Sequence, residues 1–147
     1  VTGIKMHTWW EICSKFPQLG DKTSCAMALL MGGQPKRMQR NLNSSKCKLC
    51  FGLDREDANH VLFRCPALEA TRNNTWSEII RCMPQAMVEQ MESKLTMEKT
   101  AFMLSGLNGT YVPEWSEIYC NILNFVHKMY RQRAHLYDEI SISAIVV

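Results

Sequence analysis

The stretch that decides the fold runs from residue 47 to residue 72 and reads CKLCFGLDREDANHVLFRCPALEATR. It contains a Cys-x2-Cys pair, and a histidine and a third cysteine follow after a short loop. A Cys-x2-Cys turn can hold both sulfurs on one ion, and a second pair of ligands completes a tetrahedron. Three cysteines and one histidine are among the usual ligand sets of structural zinc sites. We therefore predict a closed Zn²⁺ site whose ligands are Cys47, Cys50, His60 and Cys65.

The spacing of the second ligand pair constrains the backbone between its members. His60 and Cys65 are five positions apart, which corresponds to about 140° around an ideal α-helix. Both side chains therefore cannot point at one ion from a regular helix. We predict a break between Arg64 and Pro66, since a proline in the first turn of the next helix loses no hydrogen bond.

Composition indicates an ordinary globular domain. The chain has 147 residues, of which 46% are hydrophobic and 21% are charged, and this is enough for a real core. The net charge of +3 does not by itself imply a nucleic-acid partner. No apolar run approaches the 18 residues of a membrane span, so we expect no membrane partner.

Cysteine usage favours a reducing compartment. Three of the seven cysteines are assigned to the metal, and the others lie in apolar patterns without an obvious pairing. These four cysteines are Cys13, Cys25, Cys82 and Cys120. We expect an intracellular protein, in the cytoplasm and nucleus.

Apolar residues recur at helical spacing along most of the chain, and no stretch alternates convincingly with period two. The first clear helical pattern covers residues 8–16, and the longest covers residues 113–140. The predicted fold is all-α, a small helical domain with a zinc-stapled irregular loop. We divide the chain into an N-terminal helical segment (1–34), a basic arm with the zinc-binding module (35–84) and a C-terminal helical segment (85–147).

A basic run leads into the metal stretch. It holds five basic residues and no acid, namely Lys36, Arg37, Arg40, Lys46 and Lys48. An arm of this kind beside a metal-held turn is well placed to contact phosphates. The alternative is a solvated loop whose charges keep the chain soluble.

Three further residues are candidates for contact with nucleic acid. Arg64 and Arg72 lie within the metal stretch and can add phosphate contacts there. Phe51 follows Cys50 directly and is a candidate for base stacking, as aromatic side chains are in single-strand recognition. An equally good interpretation is that Phe51 packs beneath the zinc loop.

A second group of basic residues lies near the end of the longest predicted helix. It consists of Lys128, Arg131 and Arg133, with His127 and His135 beside them. These cations either extend the positive surface or complement the C-terminus of the helix, where the helix dipole favours positive charge. The pattern favours the second interpretation.

The stretch from Cys47 to Arg72 resembles the C-terminal cysteine/histidine motif of non-LTR (LINE-type) retrotransposon polyproteins, known as the reverse-transcriptase zinc-binding domain. The family pattern is Cys-x2-Cys, an acidic loop, His-x-Leu-x-x-Cys-Pro and a later Arg. The chain matches it with the Cys-x2-Cys pair, Glu56-Asp57, the run HVLFRCP from His60 to Pro66, and Arg72. The resemblance covers about 26 residues and is vaguer outside them.

The resemblance implies a zinc-dependent, nucleic-acid-binding accessory domain that grips template RNA or target DNA during target-primed reverse transcription. The reverse-transcriptase domain of the same polyprotein would be its neighbour, and RNA-directed DNA polymerase activity would belong to that domain. The chain itself has no Asp-Asp pair for two-metal chemistry, and we expect it to be no enzyme. The alternative is a zinc-stabilised structural or protein-interaction module without direct nucleic-acid binding.

Overall fold

The computed structural model describes residues 7–30, 47–50 and 57–146, with side chains described as far as residue 140. Every regular element in these ranges is helical, which confirms the all-α prediction. The α-helices are α1 (Thr8–Lys15), α2 (Gly20–Leu30), α3 (Glu69–Cys82), α4 (Gln85–Glu92), α5 (Thr96–Leu104) and α6 (Ser116–Val146). Short 3-10 turns precede α2, α3 and α6, each beginning at a proline, and a π-helical turn spans His60–Arg64.

The long helix α6 is the centre of the domain. It packs against α2, α3 and the π-helical turn. Between residues 118 and 130 its buried residues recur at helical spacing and are Ile118, Tyr119, Ile122, Leu123, Phe125, Val126, Met129 and Tyr130. A stripe this wide explains why α2 and α3 can both pack against α6.

The helix α6 continues to Val146, six residues beyond the predicted end at residue 140. Lys128 and Arg131 therefore lie in the middle of a helix whose last turn contains no basic residue. The dipole effect is confined to the last turn, so the prediction that these cations complement the helix C-terminus is wrong. Arg133 is almost fully buried, with its guanidinium 4.8 Å from the centre of the Tyr137 ring.

The three segments that we distinguished in the sequence contribute to one hydrophobic core. Trp9 of α1 is buried, and its indole N–H donates to the Leu104 carbonyl at 2.7 Å. The same ring meets Tyr119 of α6 edge-on, with centroids 6.2 Å apart. The first and last segments of the chain are thus packed directly together.

An aromatic cluster fixes the metal-binding region on α6. Phe63 of the π-helical turn lies 5.5 Å from Trp76 of α3 and 5.8 Å from Phe125 of α6, measured between ring centroids. Phe63 meets Trp76 edge-to-face, and such pairs contribute about 0.5–1.5 kcal/mol beyond the area that they bury. The turn that carries His60 is therefore held from two sides.

Within the part of the chain that the structure describes, no helix is long and apolar enough to cross a membrane.

Candidate metal centre

The four predicted ligands lie close together in the structure. The ligand atoms of Cys47, Cys50, His60 and Cys65 all lie within 4.8 Å of one another. The Cys47 and Cys65 sulfurs are 3.8 Å apart, and the Cys50 sulfur is 3.6 Å from His60 Nε2. All seven cysteines are free thiols. We call these four residues the metal centre.

These distances fit a tetrahedral ion. Zinc bonds of about 2.3 Å to sulfur and about 2.0 Å to nitrogen, at tetrahedral angles, place two sulfurs about 3.8 Å apart and a sulfur and a nitrogen about 3.5 Å apart. The separations of 3.8 Å and 3.6 Å agree with both values. The metal centre can therefore hold a metal ion, and four protein ligands would leave no open position for a reacting water.

A π-helical turn brings His60 and Cys65 to the same side. The Cys65 N–H donates to the His60 carbonyl at 2.8 Å, so the hydrogen bond spans five residues instead of the four of an α-helix. The wider turn carries Cys65 just past His60. Cys65 itself is extended, with φ −66° and ψ 118°, and Pro66 begins the next turn. The predicted break before Pro66 is confirmed, whereas the π-helical turn was not foreseen.

Arg72 of α3 compensates for the hydrogen bonds that this turn leaves open. In a continuous α-helix, Pro66 would have to donate to the Leu62 carbonyl, but proline has no N–H. Arg72 Nε donates to the Leu62 carbonyl at 2.8 Å, and one terminal nitrogen donates to the Cys65 carbonyl at 2.8 Å. Burial lowers the pKa of Arg72, and the neighbouring Cys65 and Glu69 oppose this shift. Arg72 therefore has a structural role that its position in the motif did not reveal.

Two residues outside the ligand set hold the two halves of the metal centre. The backbone N–H of His60 donates to the Asp57 carboxylate at 2.9 Å. This satisfies a donor at the start of the turn, as a helix cap does. The Tyr137 hydroxyl of α6 accepts the Lys48 N–H at 3.1 Å. Asp57 thus orients the histidine half, and Tyr137 ties the Cys47–Cys50 turn to α6. Sequence spacing gave no signal for Tyr137, since it lies 89 residues from Lys48.

The metal centre is buried and rich in thiols. Cys47, His60 and Cys65 are nearly inaccessible to solvent, and Cys50 is half-buried. Burial and, to a smaller extent, the adjacent Cys47 and Cys50 thiols together raise the pKa of the Cys65 thiol to about 12. Thiolates this close repel one another unless a cation lies between them. A bound dication would displace the thiol protons and neutralise that repulsion.

The predicted nucleic-acid contacts divide into two groups. Among the described residues, Lys48 and Arg64 are exposed beside the metal centre, whereas Arg72 is half-buried against the loop carbonyls. The others, Lys36, Arg37, Arg40, Lys46 and Phe51, lie outside the described residues. Their contacts with phosphates or bases remain predictions.

No protein-family model, curated protein or solved structure matches the chain. The resemblance of residues 47–72 to the reverse-transcriptase zinc-binding motif therefore rests on the residues themselves.

Proposed function

We propose that the chain is a zinc-stabilised, nucleic-acid-binding accessory domain of the kind that non-LTR reverse-transcriptase polyproteins carry. It would grip template RNA or target DNA beside the reverse-transcriptase domain. The observation that carries the proposal is the compact Cys3His cluster with a basic run directly before it in the sequence. Three thiolates and one imidazole suit Zn²⁺ better than the hard cations, which prefer oxygen ligands.

The role of the ion in this proposal is to fold the loop. Cys47, Cys50, His60 and Cys65 would hold it, and it would fix the turn on which Lys48 is exposed. Such a turn presents cations to phosphates at a defined position, where their attraction to the nucleic-acid backbone is sequence-independent and weakens with salt. Catalysis is not part of the proposal, because a closed site has no position for a metal-bound water.

The metal assignment is tested by mass spectrometry of the intact protein under native conditions. We expect one Zn²⁺ per chain, and we expect Cys65→Ser to lose it because the remaining ligands cannot close the tetrahedron. Cys13→Ser is the matched control, since Cys13 is a half-buried thiol outside the metal centre. A wild-type chain purified with supplied zinc that carries no metal would contradict the assignment.

Nucleic-acid binding is tested by fluorescence anisotropy with a labelled RNA and a labelled single-stranded DNA at low salt. We expect Lys46→Glu/Lys48→Glu to weaken binding by a factor on the order of ten or more, since two phosphate contacts become repulsive. The control is Lys15→Glu/Arg81→Glu, which makes the same charge change at two exposed residues of α1 and α3. Equal affinity of the two double variants would overturn the role of the basic run.

Absence of binding to either nucleic acid by the zinc-loaded wild type would overturn the proposed function. The alternative of a purely structural or protein-interaction module would then be favoured. That outcome is independent of the metal result, because zinc binding and nucleic-acid binding are measured separately.

A further inference from the structure

A second basic site lies on the domain, apart from the metal ligands. A cleft of about 510 Å³ opens where Lys22 of α2 and Thr71 of α3 face α6. The remaining lining residues all come from α6 and are Asn124, His127, Lys128, Arg131, Gln132 and His135. The lining contains three permanent cations, two imidazoles, two amides and a hydroxyl, and no carboxylate. Every lining side chain can therefore donate a hydrogen bond.

The α6 residues of the cleft form one continuous stripe. Between residue 124 and residue 135, each of them has another member of the set three or four positions away, which places them on a single helix face. Eleven residues of helix span about 16 Å. That is the length of about five nucleotide steps at the 3.4 Å per-strand spacing of B-form DNA. The stripe is thus long enough to follow a nucleic-acid strand over several phosphates.

The cations of the cleft remain available to a ligand. Among the residues that the structure describes, no carboxylate pairs with Lys128 or Arg131. Lys22 donates to the Asn124 side chain at 2.6 Å, which positions its ammonium at the cleft and leaves it two further donors. Glu139 approaches only the far end, where it lies 3.1 Å from His135.

Neither the helix dipole nor the core requires these charges. Lys128 and Arg131 lie mid-helix, away from the last turn, and both are exposed. Like charges at neighbouring positions on one helix face are unfavourable. Lys22 adds a third positive charge from another helix, and a bound anion would offset the repulsion among the three.

The cleft and the metal centre share two helices, α3 and α6. Thr71 precedes Arg72, whose guanidinium binds the metal-loop carbonyls. On α6, His135 lies two positions before Tyr137, whose hydroxyl accepts the Lys48 N–H.

We propose that the cleft between α2, α3 and α6 binds the phosphate backbone of a single nucleic-acid strand and forms a second contact surface in addition to the turn at the metal centre. This inference rests on the proposed nucleic-acid-binding function. It assigns the contact to Lys22, Lys128 and Arg131. Phosphate oxygens would accept from these cations and from the Asn124 and Gln132 amides, without base-specific contacts.

The test measures how the affinity of the zinc-loaded protein for a labelled single-stranded oligonucleotide depends on salt. Each phosphate contact on a single strand contributes about −0.7 to the slope of log K against log salt concentration. Lys128→Gln/Arg131→Gln removes two exposed charges, so we expect the slope to become shallower by about 1.4. The affinity at 0.1 M salt should fall by a factor on the order of ten. The matched control Lys15→Gln/Arg81→Gln removes two exposed charges outside the cleft and should change the slope by less than half as much.

The outcomes separate this inference from the proposed function. If the wild type binds and the cleft variant matches the control, the cleft assignment is overturned while nucleic-acid binding stands. If the wild type binds neither RNA nor DNA, both fail. A mononucleotide is expected to bind at least about a hundredfold more weakly than the oligonucleotide, because it reaches only one phosphate position. Equal affinities would overturn the assignment to a strand, and equally strong competition by polyglutamate would overturn the assignment to nucleic acid.

Discussion

The metal centre and the long helix α6 are both buried, but they are stabilised by different means. Between Ile118 and Tyr130, α6 buries an almost continuous apolar stripe, and removing such a surface from water needs no ligand. The metal centre buries thiols and an imidazole in a turn whose backbone departs from α-helical hydrogen bonding. We therefore expect the α6 core to fold without a ligand and the metal centre to need a cation for its stability.

Removal of the metal should have the largest effect on this comparison. With the ion chelated, we expect the amides of Val61 and Cys65 to lose protection from hydrogen exchange, because the π-helical turn loses the ion that holds its two ligands. Structural zinc contributes about 10–16 kcal/mol in small zinc-binding peptides, so the loss here should exceed 5 kcal/mol for the loop. The amides of Ile122 to Val126 should stay protected. Hydrogen exchange with mass-spectrometric detection resolves the two regions.

Cys65→Ser gives the genetic version of the same experiment, and Cys13→Ser is its control. If the α6 amides exchange as fast as the loop amides in the metal-free chain, the metal centre and α6 are not stabilised independently. In that case the ion would hold the whole domain, and the two regions would form a single cooperative unit.

Truncation of the α6 core should have the next largest effect. Ile122 is fully buried, and Ile122→Ala is expected to lower the free energy of unfolding by about 2–5 kcal/mol, since it leaves a cavity. The number of zinc ions per chain should not change. Ile140→Ala is the matched control, because Ile140 is 44% exposed on the same helix, and it should cost less than about 0.5 kcal/mol. Urea denaturation of both variants with zinc present measures the difference, and loss of zinc by Ile122→Ala would remove the distinction between the regions.

The sequence predicted the two regions with unequal success, for a physical reason. The ligand set could be predicted because it depends on residue type and short spacing, and α6 could be predicted because its apolar residues recur with the helical period. The end of α6 was missed because the run ISISAIV has no charged face that would indicate a surface helix. The same run contains no helix-stopping residue, which is consistent with the helix continuing to Val146. The placement of Lys128 and Arg131 was misjudged for the same reason.

The contacts that support the metal centre could not be predicted from local pattern at all. The absence of an N–H at Pro66 indicated a break but not its form. Whether the Leu62 carbonyl is satisfied by water or by Arg72 depends on how α3 folds back over the turn. The contact of Tyr137 with Lys48 depends on the packing of α6 across the whole domain.

Arg72 offers a sharper test of how the metal centre depends on its surroundings. Arg72→Lys keeps the charge but loses the planar fork that reaches the Leu62 and Cys65 carbonyls together. We expect it to lower the free energy of unfolding by about 2 kcal/mol, as for hydrogen bonds from a charged donor, and to weaken zinc binding about 10–100-fold. Competition with a chromophoric chelator measures the affinity. Arg81→Lys on the same helix is the control, since the Arg81 side chain is 73% exposed, and an equal effect of the two variants would exclude a supporting role for Arg72.

The smallest effect concerns two buried thiols, one in each region. Burial raises the pKa of Cys65 in the metal centre to about 12 and that of Cys25 in the apolar core to about 11. At Cys65 a metal ion would replace the proton, whereas at Cys25 nothing does. A thiol whose pKa is raised in the folded state contributes stability that is fully present below the unfolded value of 9.0 and is lost as pH rises towards 11.

The zinc-loaded wild type should therefore be less stable at pH 10 than at pH 8 by about 1 kcal/mol that is attributable to Cys25. Cys25→Ala removes this titration, so its unfolding free energy should fall less over the same interval when both proteins are unfolded in urea. The remaining decrease in Cys25→Ala reports the other titrating groups and is subtracted. An identical decrease in the two proteins would mean that the Cys25 thiolate is tolerated in the core. The apolar region and the metal centre would then both tolerate a buried thiolate. The two regions would differ only in their backbone hydrogen bonding.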